Sequence, residues 1–147
     1  MKFERQRSAG YMTNWAARLF ARAMDRRLKA IGMSSGQMPV LFALGDGGAL
    51  PQKRLAELAA LEQPTMAATL ARMERDGLVE RKPNPRDGRS ALFSLTPTAM
   101  DKAKTVREAV VSINGQALSG LSEEEQAAFM DMMRRIVAAL DEEQGST

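Results

Sequence analysis

Residues 52–95 constrain the fold more tightly than any other stretch, because helical and strand-like periodicities follow one another there in a set order. Pro51 stands where a first helical residue is expected, and Leu55, Leu58 and Ala59 form the inward side of a short helix. Leu61-Glu62-Gln63 makes a tight link. Pro64 opens a second helix running to Asp76, with Met66, Leu70 and Met73 on one face and Thr65, Thr69, Arg72 and Asp76 on another. Gly77 suits a helix C-terminus. Leu78-Val79-Glu80-Arg81-Lys82 then reads as a strand and Ala91-Leu92-Phe93-Ser94-Leu95 as its alternating partner. Between them lies Pro83-Asn84-Pro85-Arg86-Asp87-Gly88-Arg89-Ser90, a turn-rich, basic tip. Two helices joined by a tight turn and followed by a two-stranded hairpin make a winged helix-turn-helix. The whole order is more specific than either piece.

The flanks are helical. Between Ser8 and Ile31, Phe20, Met24, Leu28 and Ile31 recur at helical spacing, Trp15 and Leu19 widen the stripe, and Gly32 ends the helix. Ser34 or Ser35 can cap the next helix, where Pro39 falls early and Val40, Leu41 and Leu44 form the apolar side. Gly45-Asp46-Gly47-Gly48 breaks it. Thr96-Pro97 is a cap followed by a first-position proline. The helix it starts carries Ala103, Val106, Val110, Ile113 and Ala117 in the alternating three-and-four spacing that lets one helix track along another. Ser122-Glu123-Glu124-Glu125 is a capping box opening a last helix whose apolar stripe is Phe129, Met132, Met133, Ile136, Val137 and Leu140. The tail 142–147 is expected to fray. The expected fold class is mainly α with a small β-hairpin wing. The chain reads as a single domain, 1–147, with 34–96 as the winged helix-turn-helix and 8–31 plus 97–143 as a helical dimerisation part.

Composition excludes much of chemistry. The chain has neither cysteine nor histidine. Disulfides, thiolate nucleophiles and Cys-ligated zinc are therefore absent, and so is the commonest general base. No nucleophile–base pair, metal cluster or phosphate-cradling glycine loop is apparent, so no catalytic residue, metal ligand or cofactor is expected. The net charge of +3 hides an asymmetry: residues 1–107 carry 19 basic and 10 acidic side chains, residues 108–147 carry 2 and 8. A basic front of this kind points first to nucleic acid. No apolar run approaches a membrane span, and the N-terminus lacks a secretory h-region, so a soluble cytoplasmic chain is expected.

The stretch Leu55-Ala-Glu-Leu-Ala, followed by Glu62-Gln-Pro-Thr-Met-Ala-Ala-Thr-Leu-Ala-Arg-Met-Glu-Arg-Asp-Gly-Leu-Val79-Glu-Arg, resembles the helix-turn-helix of the MarR family. Asp87-Gly-Arg89-Ser-Ala-Leu-Phe-Ser-Leu95-Thr96 is similar to that family's wing signature, D-x-R-x-x-x-x-x-L-T. Glu62-Gln63-Pro64-Thr65 and Arg18–Leu28 look closer to the SlyA branch, and the resemblance spans about residues 11–140. It implies a transcription regulator, not an enzyme, whose first helix and last two helices interlock in a homodimer on a palindromic operator. It further implies an Asp87–Arg89 pair that shapes the wing. Ala67 and Ala68 depart from the family pattern, which often has a polar residue and an Arg there, so those contacts are not carried over.

Gln63, Pro64, Thr65, Thr69 and Arg72 are the expected readers on the second helix, and Met66 is weighted toward the core. Lys82, Asn84, Arg86, Asp87, Arg89 and Ser90 form the wing's candidate contacts, with the two arginines suited to a narrow minor groove. By analogy with relatives that bind phenolic or aromatic-acid effectors, Trp15, Arg18, Met38 and Phe42 are the candidate ligand residues, Arg18 countering an anion. The expected output is repression released by such a ligand. The competing reading is a helical protein-interaction module of the same fold that has lost DNA binding, favoured by Ala67 and Ala68.

Overall fold

The computed structural model describes residues 2–145. The last two positions of the tail expected to fray, 146 and 147, lie outside the described residues. The described residues fall into two compact units divided after Val110, within one continuous helix.

In the first unit, Ser8 caps helix α1, Ala9–Leu28, its hydroxyl accepting the Tyr11 N–H at 3.2 Å. A 3-10 turn, Lys29–Ile31, follows, and Gly32 closes it at φ 69°, a conformation glycine adopts without a Cβ penalty. Of the apolar stripe on α1, Met24 and Leu28 are buried, Trp15 is half-buried, and Leu19 and Phe20 stay exposed. Ser34 rather than Ser35 is the cap before the next helix: Gln37 Oε1 accepts the Ser34 N–H at 3.0 Å in a capping box. Ser35 instead donates its N–H to Asp25 Oδ1 at 2.7 Å, tying this turn back to α1.

Helix α2, Met38–Leu44, buries Val40, Leu41 and Leu44. After the glycine break, Leu50–Pro51 forms a short strand, β1, so Pro51 stands just before helix α3, Gln52–Ala59, rather than inside it. Helix α4 is Gln63–Arg75, strand β2 is Val79–Pro83 and strand β3 is Ala91–Leu95. The sheet has three antiparallel strands in the order β1-β3-β2, not the two expected. A two-residue strand shows no alternation in sequence; it is recruited because Leu50 lies opposite Phe93. In α3 the buried pair is Leu55 and Ala56, while Leu58 is exposed, contrary to its expected inward place. The core of this unit is built from Leu28, Val40, Leu44, Leu55, Met66, Leu70, Met73 and Leu78, all essentially without solvent contact.

Helix α5, Pro97–Ala117, begins at Thr96, whose Oγ accepts the Ala99 N–H at 3.2 Å. Its first half is anchored to the 3-10 turn after α1, Lys102 Nζ donating to the Ile31 carbonyl at 2.7 Å. The buried seam of α5 is Val106, Ala109 and Ile113; Ala103 and Val110 are half-buried and Ala117 is exposed. In the second unit α5 ends and α6, Glu123–Gly145, begins after a turn stitched by Gln126 Nε2, which donates to the carbonyls of Leu118 and Leu121. The Ser122–Glu125 capping box forms as expected, Glu125 Oε1 accepting the Ser122 N–H at 2.9 Å and Ser122 Oγ accepting the Glu125 N–H at 3.1 Å. Phe129, Met132, Ile136, Val137 and Leu140 of α6 are exposed in the isolated chain, Met133 half-buried.

Candidate nucleic-acid interface

The turn between α3 and α4 is made by Ala60, a non-glycine residue at φ 52° whose N–H bonds back to the Ala56 and Glu57 carbonyls. Leu61 donates its N–H to the Ala56 carbonyl, closing the corner. Across it, Gln52 Nε2 donates to the Gln63 carbonyl at 3.4 Å, joining the two helix starts. A polar first residue of a short helix, such as Gln52, carries no signal of its own in sequence.

Met66, Leu70 and Met73 drive the inner face of α4 into the core, and this fixes which side chains face out. Met66 is core, with 0% exposure. Gln63, Pro64, Thr65, Ala68 and Arg72 are exposed. Thr69 is half-buried and donates its hydroxyl to the Thr65 carbonyl at 3.0 Å, so it offers an outside partner an acceptor and a methyl rather than a donor. The outward face thus runs Thr65, Ala68, Arg72, with small side chains where the helix begins and one long cation a turn later.

The wing is organised by its own polar side chains. Asn84 Nδ2 donates to Ser90 Oγ at 3.0 Å, and the Asn84 N–H donates to the Ser90 carbonyl at 3.3 Å. Asn84 Oδ1 accepts the Arg86 N–H at 3.0 Å, and Asp87 Oδ1 accepts the Arg89 N–H at 2.9 Å. Two successive side-chain-to-backbone turns of this type tighten a loop that lacks regular pairing. The expected Asp87–Arg89 pair therefore exists through the backbone and not through the guanidinium. The carboxylate is nearer the N–H two residues on than any cation, and the same bond leaves the Arg89 side chain outward. Among the described residues, the guanidinium groups of Arg72, Arg86 and Arg89 and the Lys53 ammonium make no ion pair, whereas Lys82 Nζ lies 3.9 Å from Glu80. Lys53, on the first turn of α3, joins the basic surface unannounced by the sequence pattern.

The four candidate ligand residues lie in the first unit but are not joined by any hydrogen bond, ion pair or ring contact among the described residues. The Trp15 ring packs edge-on to Tyr11 at 6.3 Å and lies under Arg5 at 5.2 Å, while Arg18 sits over Tyr11 at 6.0 Å. Met38 is half-buried and Phe42 is 72% exposed. No group of three or more acidic, His or Cys side chains able to hold a metal occurs among the described residues, and no described helix is long and apolar enough to cross a membrane.

Helix pair, wing and flanking helices define a winged helix-turn-helix protein, mostly helical with a small antiparallel sheet. Residues 31–90 match the model of the MarR family. The transcriptional regulator HosA of Escherichia coli O111:H- is 33% identical over 107 residues, covering 73% of this chain and 79% of HosA. The HTH-type transcriptional regulator YwoH of Bacillus subtilis is 29% identical over 124 residues, 84% of this chain and 90% of its own. The HTH-type transcriptional repressor IacR of Pseudomonas putida is 28% identical over 112 residues, 74% and 67% of the two chains. Among solved structures, PcaV of Streptomyces coelicolor in complex with its natural ligand superposes with a TM-score of 0.80 at 26% identity, over 95% of this chain and 99% of PcaV. A mutant Escherichia coli MarR complexed with operator DNA has the same fold, with a TM-score of 0.79 at 20% identity over 86% and 91%. The chain belongs to the MarR family of transcriptional regulators and is not an enzyme.

Proposed function

We propose that this chain is a homodimeric reader of palindromic duplex DNA that represses transcription in the cytoplasm and is released by a small aromatic or anionic ligand. The observation that carries the DNA reading is the outward face of α4, Thr65–Ala68–Arg72, set in one unit with a wing whose Arg86 and Arg89 guanidiniums are unpaired. Gln63, Pro64, Thr65, Thr69 and Arg72 lie on the helix that enters the major groove, with its first turns nearest the base edges. Lys82, Asn84, Arg86, Asp87, Arg89 and Ser90 belong to the wing; its two free arginines reach the minor groove, while Asn84, Asp87 and Ser90 hold their shape. A MarR relative complexed with operator DNA, and a relative named a repressor, support this reading.

The dimer rests on a separate observation. Phe129, Met132, Ile136, Val137 and Leu140 form an apolar stripe on α6 that the isolated chain leaves in water. A two-fold partner buries such a stripe and supplies the second reading head for the other half-site. Trp15, Arg18, Met38 and Phe42 are the proposed ligand residues, supported by a relative solved with its natural ligand and by the aromatic and cationic surface around Trp15. The exposed Ala68 favours the second reading, a protein-interaction module, because it adds no hydrogen-bonding group to the reading face.

The deciding experiment selects bound sequences from a random duplex pool with the purified chain, with and without aromatic acids. Enrichment of a two-fold symmetric sequence that fades when an aromatic acid is added is the expected result. A pool returned without enrichment overturns DNA reading in favour of the interaction module.

A further inference from the structure

Arg81 is the one basic residue of the wing strands that is doubly engaged within the protein. Its Nε donates to Glu74 Oε2 at 2.8 Å, and its guanidinium lies over the Phe93 ring at 5.2 Å. Phe93 is its cross-strand partner and lies opposite Leu50 on the other side, so it is the central residue of the sheet, and it is buried. Glu74 stands on the last turn of α4. One side chain thus spans the end of the helix that faces the major groove and the base of the hairpin that carries Arg86 and Arg89. Strand alternation puts Arg81 on the face of buried Val79, opposite to Glu80 and Lys82.

We propose that Arg81 is a positioning residue for DNA recognition: it contacts no phosphate and fixes the wing against α4 through Glu74. This inference rests on the DNA-reading function proposed above. An ion pair as exposed as this one adds little to folding stability, so its use lies in geometry. A planar guanidinium that both stacks and donates holds two elements at one angle, which a lysine ammonium cannot do. Helix and wing then reach two grooves in a single register. Only the correct sequence satisfies both at once, so the clamp favours specific over non-specific binding.

The test measures affinity of the full chain for its selected operator and for a scrambled duplex across a salt series. Arg81→Ala is expected to weaken operator binding about tenfold, the size of one lost base contact. Scrambled-duplex binding and the salt slope should stay unchanged. Glu74→Gln should behave alike, and Glu74→Gln/Arg81→Ala should be no worse than either single variant. Arg81→Lys should restore only part of the loss. A salt slope lowered by about one marks Arg81 as a phosphate ligand and overturns the proposal. Equal weakening on both duplexes, or additive single losses, overturns it as well. A wild-type chain that enriches no sequence overturns the DNA-reading function itself; a wild type that binds its operator, with Arg81→Ala unchanged, overturns the clamp alone.

Discussion

Asn84 and Ser90 close the mouth of the wing from opposite sides, side chain to side chain at 3.0 Å and backbone to backbone at 3.3 Å. Everything beyond them is held by local turns. Asn84→Ala removes the side-chain bond to Ser90 and the acceptor for the Arg86 N–H, while leaving the backbone bond and every basic side chain in place. Operator affinity is expected to fall through a looser wing, with the salt slope unchanged and hydrogen exchange faster across residues 84–90. Unaltered exchange in that segment would show that these side-chain bonds are dispensable.

Arg86 and Arg89 act differently, because their charge rather than their geometry is at stake. Each replacement by Ala is expected to cost about 1–3 kcal/mol of operator binding and to lower the salt slope by about one phosphate. Binding isotherms over a range of salt check both numbers. A double variant that binds like the wild type would remove the wing from the interface.

Ala60 occupies a left-handed conformation at φ 52° in the turn of the helix pair, where an L side chain is strained and glycine is not. Ala60→Gly is expected to stabilise the protein by about 0.5–1 kcal/mol, the relief exceeding the added freedom of the unfolded chain. Ala60→Val should destabilise it by more. Urea melts of the three proteins decide the matter, and a less stable Gly variant would refute the strain.

Glu125 is held below the ordinary carboxylate value, first by the Ser122 backbone N–H and then by the Ser122 hydroxyl. Its folded pKa is lower than its unfolded one, so its contribution is complete above the ordinary carboxylate range and is lost as pH falls through the lowered folded value. Glu125→Gln should therefore flatten the acid-side dependence of α6 helicity in a circular dichroism titration. A wild-type and a variant with parallel acid limbs would refute the linkage.

Within the second helix of the pair and at the helix ends, the side-chain pattern is enough to read the fold. Met66, Leu70 and Met73 repeat at helical spacing and all three are buried; Gly32 and Gly77 end helices with positive φ. Sequence is silent where structure depends on residues that are not adjacent in the chain. Strand β1 is two residues long and exists because Phe93 lies across from Leu50. Leu58 has the spacing of a core residue, but Ala56 takes the inner place because α3 is only two turns long and its orientation is set by its neighbours. The wing residues are identifiable by type, yet residue type does not say whether Asp87 takes a backbone N–H or a guanidinium; the turn geometry decides for the Arg89 N–H. The contacts of Arg81 are hidden in sequence for the same reason: its two partners are seven and twelve positions away.

Thr96 ties three elements with one residue. Its N–H donates to the Leu78 carbonyl, its hydroxyl donates to the Gly77 carbonyl, and the same oxygen accepts the Ala99 N–H. The exit of α4 and the start of α5 therefore hang on one hydroxyl, so Thr96→Val, which keeps the shape and the backbone N–H, strips a bond from the helix exit and the cap from α5 in a single change.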